Sequence, residues 1–262
     1  MLNKIKLLAK KTILNIFVLL SKTKIGGFAY EQILNLAMDS TQSLTHNQTQ
    51  LVFSVPNSLN RYRVDSFSTK EPETLEWIDS FPPESVLWDI GANIGLYSCY
   101  AAKARSCKVF AFEPSVFNLE LLARNIYLNQ LTANVCIVPL PLSNDLGIST
   151  LNMTSKDWGA LSTFGEDYGW DGKQMKQVFN FQTIGISADN ALNLLSIQQP
   201  NYIKIDVDGI EHLILSGASH VLNIVDGVLV EVNDDFLEHA EMFNSSNSFG
   251  GGHVWNQIWI RT

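Results

Sequence analysis

SVLWDIGANIGLYSCYAAKARSCKVFAFEPS, residues 85–115, sets the architecture. Ser85–Ile90 is a nearly unbroken apolar run, as expected for a strand covered on both faces. Gly91–Gly95 (GANIG) then forms a tight turn into a helix reaching about Ala104, and Lys108–Glu113 gives a second strand. Strand, turn, helix and strand in this rhythm predict an α/β fold with a mostly parallel sheet and helices on both faces.

Downstream the rhythm continues with a helix at Ser115–Asn129, whose Phe117, Leu121, Leu122 and Ile126 share one face, and a third strand at Asn134–Leu142. Residues 147–185 interrupt it: a strand-like ISTLNM, a Gly- and aromatic-rich loop (DWGALSTFGEDYGWDG), then VFNFQTIGI. Regularity returns with helix Ala188–Ser196, strand Tyr202–Val207, helix Gly209–Leu222, strand Gly227–Val232 and strand Trp255–Ile260. Upstream, residues 1 to about 45 read as helical and the polar run Ser40–Gln50 as a linker. Leu51–Val55 and Arg61–Phe67 around a Pro-Asn-Ser turn predict a β-hairpin, and Pro72 opens a helix that Pro82 and Pro83 end.

The 262 residues are 46% apolar and 17% charged, enough for a substantial core. The net charge of −8 is uneven. Lys4, Lys6, Lys10, Lys11, Lys22 and Lys24 face no acid within residues 1–24, leaving 12 bases against 26 acids in the rest. A body that acidic repels a phosphate backbone, so nucleic acid is not an expected partner. Cys99, Cys107 and Cys136 show no CxxC pairing, which predicts neither a disulfide framework nor a zinc site and suggests a reducing, cytoplasmic compartment. Ile13–Leu20 is too short to span a bilayer, and the absence of a small-x-small site after Leu20 favours a retained helix over a cleaved signal.

In an open parallel sheet, ligands sit beyond the carboxyl ends of the strands. The GANIG turn lies there, with Asp89 before it and Glu113 at the end of the next strand, placed to accept hydrogen bonds from ribose hydroxyls. Nicotinamide dinucleotides and S-adenosylmethionine (SAM) share this geometry. Asp89, two residues ahead of the first glycine of a G-x-N-x-G turn, suits an ammonium and a sulfonium better than a diphosphate, which favours SAM. A nicotinamide-dependent oxidoreductase is the rival, and a non-catalytic SAM-binding protein a third reading.

WDIGANIGLYS, FAFEPS, VPLPLSNDLGISTLNM, IKIDVDGIEHLILSGA and LVEVN, in that order, resemble the motifs of the FkbM family of SAM-dependent methyltransferases. STKEPETLEWIDSF, upstream, resembles the lead-in of members associated with surface glycans. The likeness covers about residues 50–262 and implies a Rossmann-like class I methyltransferase fold, SAM as donor and an oxygen acceptor. Ser187-Ala188-Asp189 stands where members often show T-L-D, a departure confined to that loop. The division expected is a basic helical segment and linker at 1–50 and a methyltransferase domain at 51–262. Cofactor contacts are expected from Asp89, Gly91, Asn93, Gly95, Glu113, Ser143 and Asp206.

Asp206 ends the strand Tyr202–Val207, with Lys204 on the same side by period-two alternation. Asp208 and Glu211 have the spacing of a capping box, Asp208 as N-cap. Methyl transfer to an alcohol requires removal of a proton, and the candidates are Asp206, Glu231 and His239, whereas His212 reads as a solvated helix residue. Asp206, Asp208, Glu231 and Asn233 form an alternative oxygen set for a divalent ion. The loop Asp157–Lys173, with Trp158, Phe164, Tyr168 and Trp170, suits either stacking on a sugar or pinning the insertion to the sheet. The expected acceptor is a hydroxyl of a sugar in a glycan or glycolipid precursor. The lysine-rich start suits peripheral contact with an anionic membrane surface or packing on the domain.

Overall fold

The computed structural model describes residues 2–169, 173–233, 247–249 and 254–260. Helices α1 (Leu2–Ser21) and α2 (Lys24–Met38) precede an antiparallel hairpin of β1 (Thr41–His46) and β2 (Thr49–Ser54). Two sequence expectations are corrected here. Ser40–Gln50 is not a linker but contains β1, because Asn47 and Gln48 both take positive φ (41° and 67°) and close a tight turn. Arg61–Phe67 is not the second hairpin strand: Asn57, read as part of a turn, caps α3 (Ser58–Asp65) by accepting from Asn60 N. Next come α4 (Phe67–Lys70) and α5 (Pro72–Asp79), with Pro72 at the first helical position as expected.

The main domain then runs β3 (Val86–Ile90), α6 (Leu96–Arg105), β4 (Lys108–Phe112), α7 (Val116–Leu128) and β5 (Val135–Val138). The third strand stops at Val138 rather than Leu142, since Pro139 and Pro141 have no N–H to offer a ladder. Leu142–Ser143 instead forms β6 in a smaller sheet with β7 (Gly147–Met153), β8 (Ser162–Phe164) and β9 (Phe179–Ser187), ordered β6-β9-β7-β8. After α8 (Ala188–Leu194) and β10 (Tyr202–Ile205), the helix expected at 209–222 divides into α9 (Glu211–Ser216) and α10 (Ser219–Leu222), followed by β11 (Gly227–Asn233), β12 (Asn247–Phe249) and β13 (Val254–Ile260).

The large sheet is ordered β12-β13-β11-β10-β3-β4-β5, parallel from β11 to β5 and antiparallel at the β12–β13 edge. Its two faces have separate cores. Leu87, Val109 and Ala111 pack with α5, α6 and the hairpin, whereas Trp88, Ile90, Phe110 and Phe112 pack with α8, α9 and α10. The chain goes from β3 toward β4 on one side and returns through β10 on the other, so the switch point where strand order reverses lies between β3 and β10.

Three buried asparagines along α7 tie neighbouring segments to it. Asn125 Nδ2 donates to Ile94 O (2.8 Å) and its Oδ1 accepts from Ser54 N (2.8 Å). Asn129 accepts from Val52 N and donates back to Val52 O, so the side chain pairs with β2 as a strand neighbour would. Asn118 accepts from Gly159 N (2.8 Å) and donates to Ala160 O (3.1 Å) in the long insertion.

Candidate active site

The switch point opens into a cavity of about 390 Å³, walled by Gly91–Ile94 on one side, Asp206–Gly209 on another and α3–α4 above. That volume lies within the roughly 300–1,000 Å³ typical of small-molecule sites. Gly91 (φ +82°) is required here: a Cβ would stand 1.9 Å from Asp206 O, so a side chain would force apart the ends of β3 and β10. Gly91 N and Ala92 N both donate to Phe112 O, anchoring the turn to β4. Asn93 faces this cavity and a smaller one of about 50 Å³, and its buried Oδ1 has no hydrogen-bond partner among the described residues.

Glu113 sits on the smaller cavity, at 3% exposure. Its carboxylate accepts from Asn93 N (2.8 Å) and Ser115 N (2.7 Å), leaving further lone pairs on both oxygens. Three expected binding residues stand elsewhere. Asp89 is buried behind the turn, takes a hydrogen bond from Ser98 Oγ (2.5 Å), and lines neither cavity, because the strand's alternation turns it inward beneath the turn. Gly95 (φ +83°) begins α6 and lets it approach Leu122, whose Cδ1 would be 2.4 Å from a Cβ. Ser143 lies in β6, bonded to Asn144 Oδ1 and outside both cavities, since Pro139 and Pro141 carry the chain away from the large sheet.

On the other wall, Lys204 is 1% exposed and contacts the Asp206 carboxylate, which keeps 26% of its side-chain surface open. The ammonium also stands 4.8 Å from the centre of the Tyr97 ring. Tyr97 OH donates to Glu71 Oε2 (2.9 Å), and Lys70 pairs with the other Glu71 oxygen. Glu231 shares a hydrogen bond with Asp206, completing a continuous polar wall. Sequence reasoning noticed Lys204 but not Glu71, Lys70 or Tyr97. A lysine inside YIKI was itself a signal, since a buried ammonium requires partners; Glu71 has no comparable local signature.

Burial opposes charge throughout this wall, and neighbours decide which groups keep it. Lys204, although desolvated, is held above its ordinary value by Asp206, Asp89 and Glu71. Asp206, only partly desolvated, is held below the usual carboxylate range by Lys204 and by its bond to Glu231. The charge on Asp206 pushes Glu231 well above the usual carboxylate range, so the pair shares one proton at neutral pH. Asp208 is pushed up to about 7 by burial and then by Asp206.

The capping-box expectation for Asp208 and Glu211 is corrected. Helix α9 begins at Glu211 after Ile210, with no side-chain cap, because the chain turns at Gly209 and leaves Asp208 on the walls of both cavities. Glu211, pushed up to about 8 mainly by burial, accepts from Gly209 N (3.3 Å). Glu113 is likewise raised to about 7 by burial. These three carboxyls keep protons that an unfolded chain would release near pH ~4. The ligand-free protein should therefore lose stability as pH rises from ~4 to ~8, and Glu231, raised further still, extends the decline to higher pH. Thermal melts across that range check the sign: a midpoint rising over this window would contradict it.

The insertion is pinned at two of its aromatics. Trp158 Nε1 donates to Glu120 Oε2 (3.1 Å) and its ring packs by Met38, Ile94 and Leu121, while Phe164 is in the core. Leu161 reaches the main cavity wall. Trp170 and His239 lie outside the described residues. Among the described residues, no three His, Cys, Asp or Glu side chains are grouped to hold a metal ion.

A model described as "Methyltransferase FkbM domain" matches residues 89–250, more than half of the chain. The chain belongs to the FkbM family. It is a SAM-dependent methyltransferase with the class I fold expected from its motifs, and that membership sets aside the oxidoreductase reading. Among curated relatives of this FkbM protein, hexuronic acid methyltransferase AglP of Haloferax volcanii is 29% identical over 186 residues, 69% of this chain and 70% of that protein. Methyltransferase sdnD of Sordaria araneosa is 37% identical over 78 residues, 29% of each chain. Among solved structures, M. jannaschii TYW2 in complex with AdoMet matches at 15% identity and a TM-score of 0.42, covering 84% of each chain.

Proposed function

We propose that this FkbM protein methylates a hydroxyl of a sugar in a glycan or glycolipid precursor. The observation that carries the reading is the cavity shared by the Gly91–Ile94 turn and the ionised Asp206, supported by the likeness to a relative named for acting on hexuronic acid. The donor set fits SAM. Asn93 Oδ1, buried without a partner, has an acceptor to offer, Glu113 keeps lone pairs for ribose hydroxyls, and Asp206 presents a fixed negative charge to a cation.

When bound, SAM supplies the electrophilic methyl group. Asp206, kept ionised by Lys204, orients the cationic end of the donor. Asp208 takes the proton from the acceptor hydroxyl: its value of about 7 is matched to neutral pH, whereas a carboxylate held as low as Asp206 is a weak base. Glu231 carries its own proton and holds Asp206 in place by hydrogen bonding. Helices α3 and α4 roof the cavity above the turn.

The test incubates the protein with methyl-labelled SAM and glycan and lipid extracts, then identifies the labelled product. Label on a sugar oxygen is expected, and label on nitrogen, carbon or a non-sugar hydroxyl would overturn the reading. In parallel binding measurements, Glu113→Gln should weaken SAM binding by roughly tenfold, the effect of exchanging an acceptor oxygen for a donor amide beside the ribose. Unchanged affinity would remove Glu113 from the ribose site.

A further inference from the structure

The first two helices leave an apolar surface uncovered. Ile13, Leu14, Ile16, Phe17, Val18, Leu19 and Leu20 are all at least 49% exposed, on every side of α1. In α2, Ile25, Phe28, Ile33 and Leu36 are exposed too, and the main body buries only Met38, which packs with Ile94 and Leu121. Exposed apolar area this continuous is characteristic of a contact surface.

Charge indicates the partner. Lys6, Lys10 and Lys11 precede the apolar stretch, Lys22 and Lys24 follow it, and all five are exposed. Among the described residues no single helix is long and apolar enough to cross a membrane, and α1 and α2 meet at a bend of 115°. Ile13–Leu20 spans ~12 Å, well short of the ~30 Å of bilayer hydrocarbon. A short apolar segment with lysines at both ends matches one leaflet: the side chains enter the acyl boundary while the ammonium groups stay among anionic headgroups. The rest of the chain, with 12 bases against 26 acids, is repelled by such a surface, so attraction is confined to the arm.

We propose that α1 and α2 form an interfacial anchor that seats in one leaflet of an anionic lipid bilayer. The inference goes beyond the sugar reading and stands without it. Its test is sedimentation of the full-length protein with vesicles of phosphatidylcholine alone or with added phosphatidylglycerol, at low and high salt. Binding to the phosphatidylglycerol vesicles is expected, falling with salt and dropping on the order of tenfold or more in Phe17→Glu/Leu20→Glu. Both positions are exposed, so circular dichroism and the thermal midpoint of the variant should match the parent. Equal binding to both vesicle types would overturn the electrostatic half of the proposal. Absence of vesicle binding would overturn it entirely, whether light scattering then finds a monomer or a dimer that Phe17→Glu/Leu20→Glu dissociates, the latter assigning the surface to a second copy of the chain.

Discussion

Asp208→Asn should lower kcat by roughly 10²-fold or more while changing SAM affinity little, because it removes the group assigned to take the acceptor's proton. Asp206→Asn should lower turnover by a similar order and also weaken SAM binding, since Asp206 presents the fixed charge beside Lys204. The pH dependence separates them. In the parent, kcat should rise with pH through about 7 as Asp208 ionises, and Asp206→Asn should retain a rising limb that Asp208→Asn lacks. If Asp208→Asn keeps both its rate and its acid limb, the proton goes elsewhere, and Glu231 is the next candidate.

Lys204→Met should destabilise the protein by about 3–5 kcal/mol, the usual result of deleting one member of a buried ion pair. The lysine is 1% exposed, and its loss leaves Asp206 and the fully desolvated Asp89 without their principal counter-charge. Two further measurements distinguish this from simple loss of packing. The deficit should shrink as pH is lowered and the carboxylates protonate, and it should be partly recovered in Lys204→Met/Asp206→Asn. A deficit independent of pH and of Asp206 would mean that Lys204 contributes volume and its contact with Tyr97 rather than charge.

The parallel strands, the GANIG turn and the FkbM motifs were legible because they depend on local patterns: continuous apolar runs, glycines with positive φ, and an acid at a fixed distance from a turn. The misread elements depend on distant partners. Polar Thr41–His46 forms a strand because the following strand buries Leu51 and Phe53 and α7 offers Asn125 and Asn129 to its backbone. Asp89 has the spacing of a ligand-binding acid, yet Ser98 and Lys204 hold it beneath the turn. Asp208 matched a capping box that the turn at Gly209 prevents, and Glu71 meets Tyr97 only in three dimensions.

The asparagines of α7 attach the insertion in a way that does not depend on most of its side chains. Asn118 grips the loop by the N–H of residue 159 and the carbonyl of residue 160, groups that any sequence other than proline at 159 supplies. Its strong demands are for glycine at 159, where φ is +87° and a Cβ would stand 2.4 Å from Asn60 Oδ1, and for the two pinned aromatics, Trp158 and Phe164. The loop that carries Leu161 to the cavity can therefore diverge or be exchanged between relatives while its mooring stays fixed and the turn on the opposite wall, held separately through Asn125, is undisturbed. Changes in that loop alter the cavity wall at Leu161 without moving the Gly91–Ile94 turn.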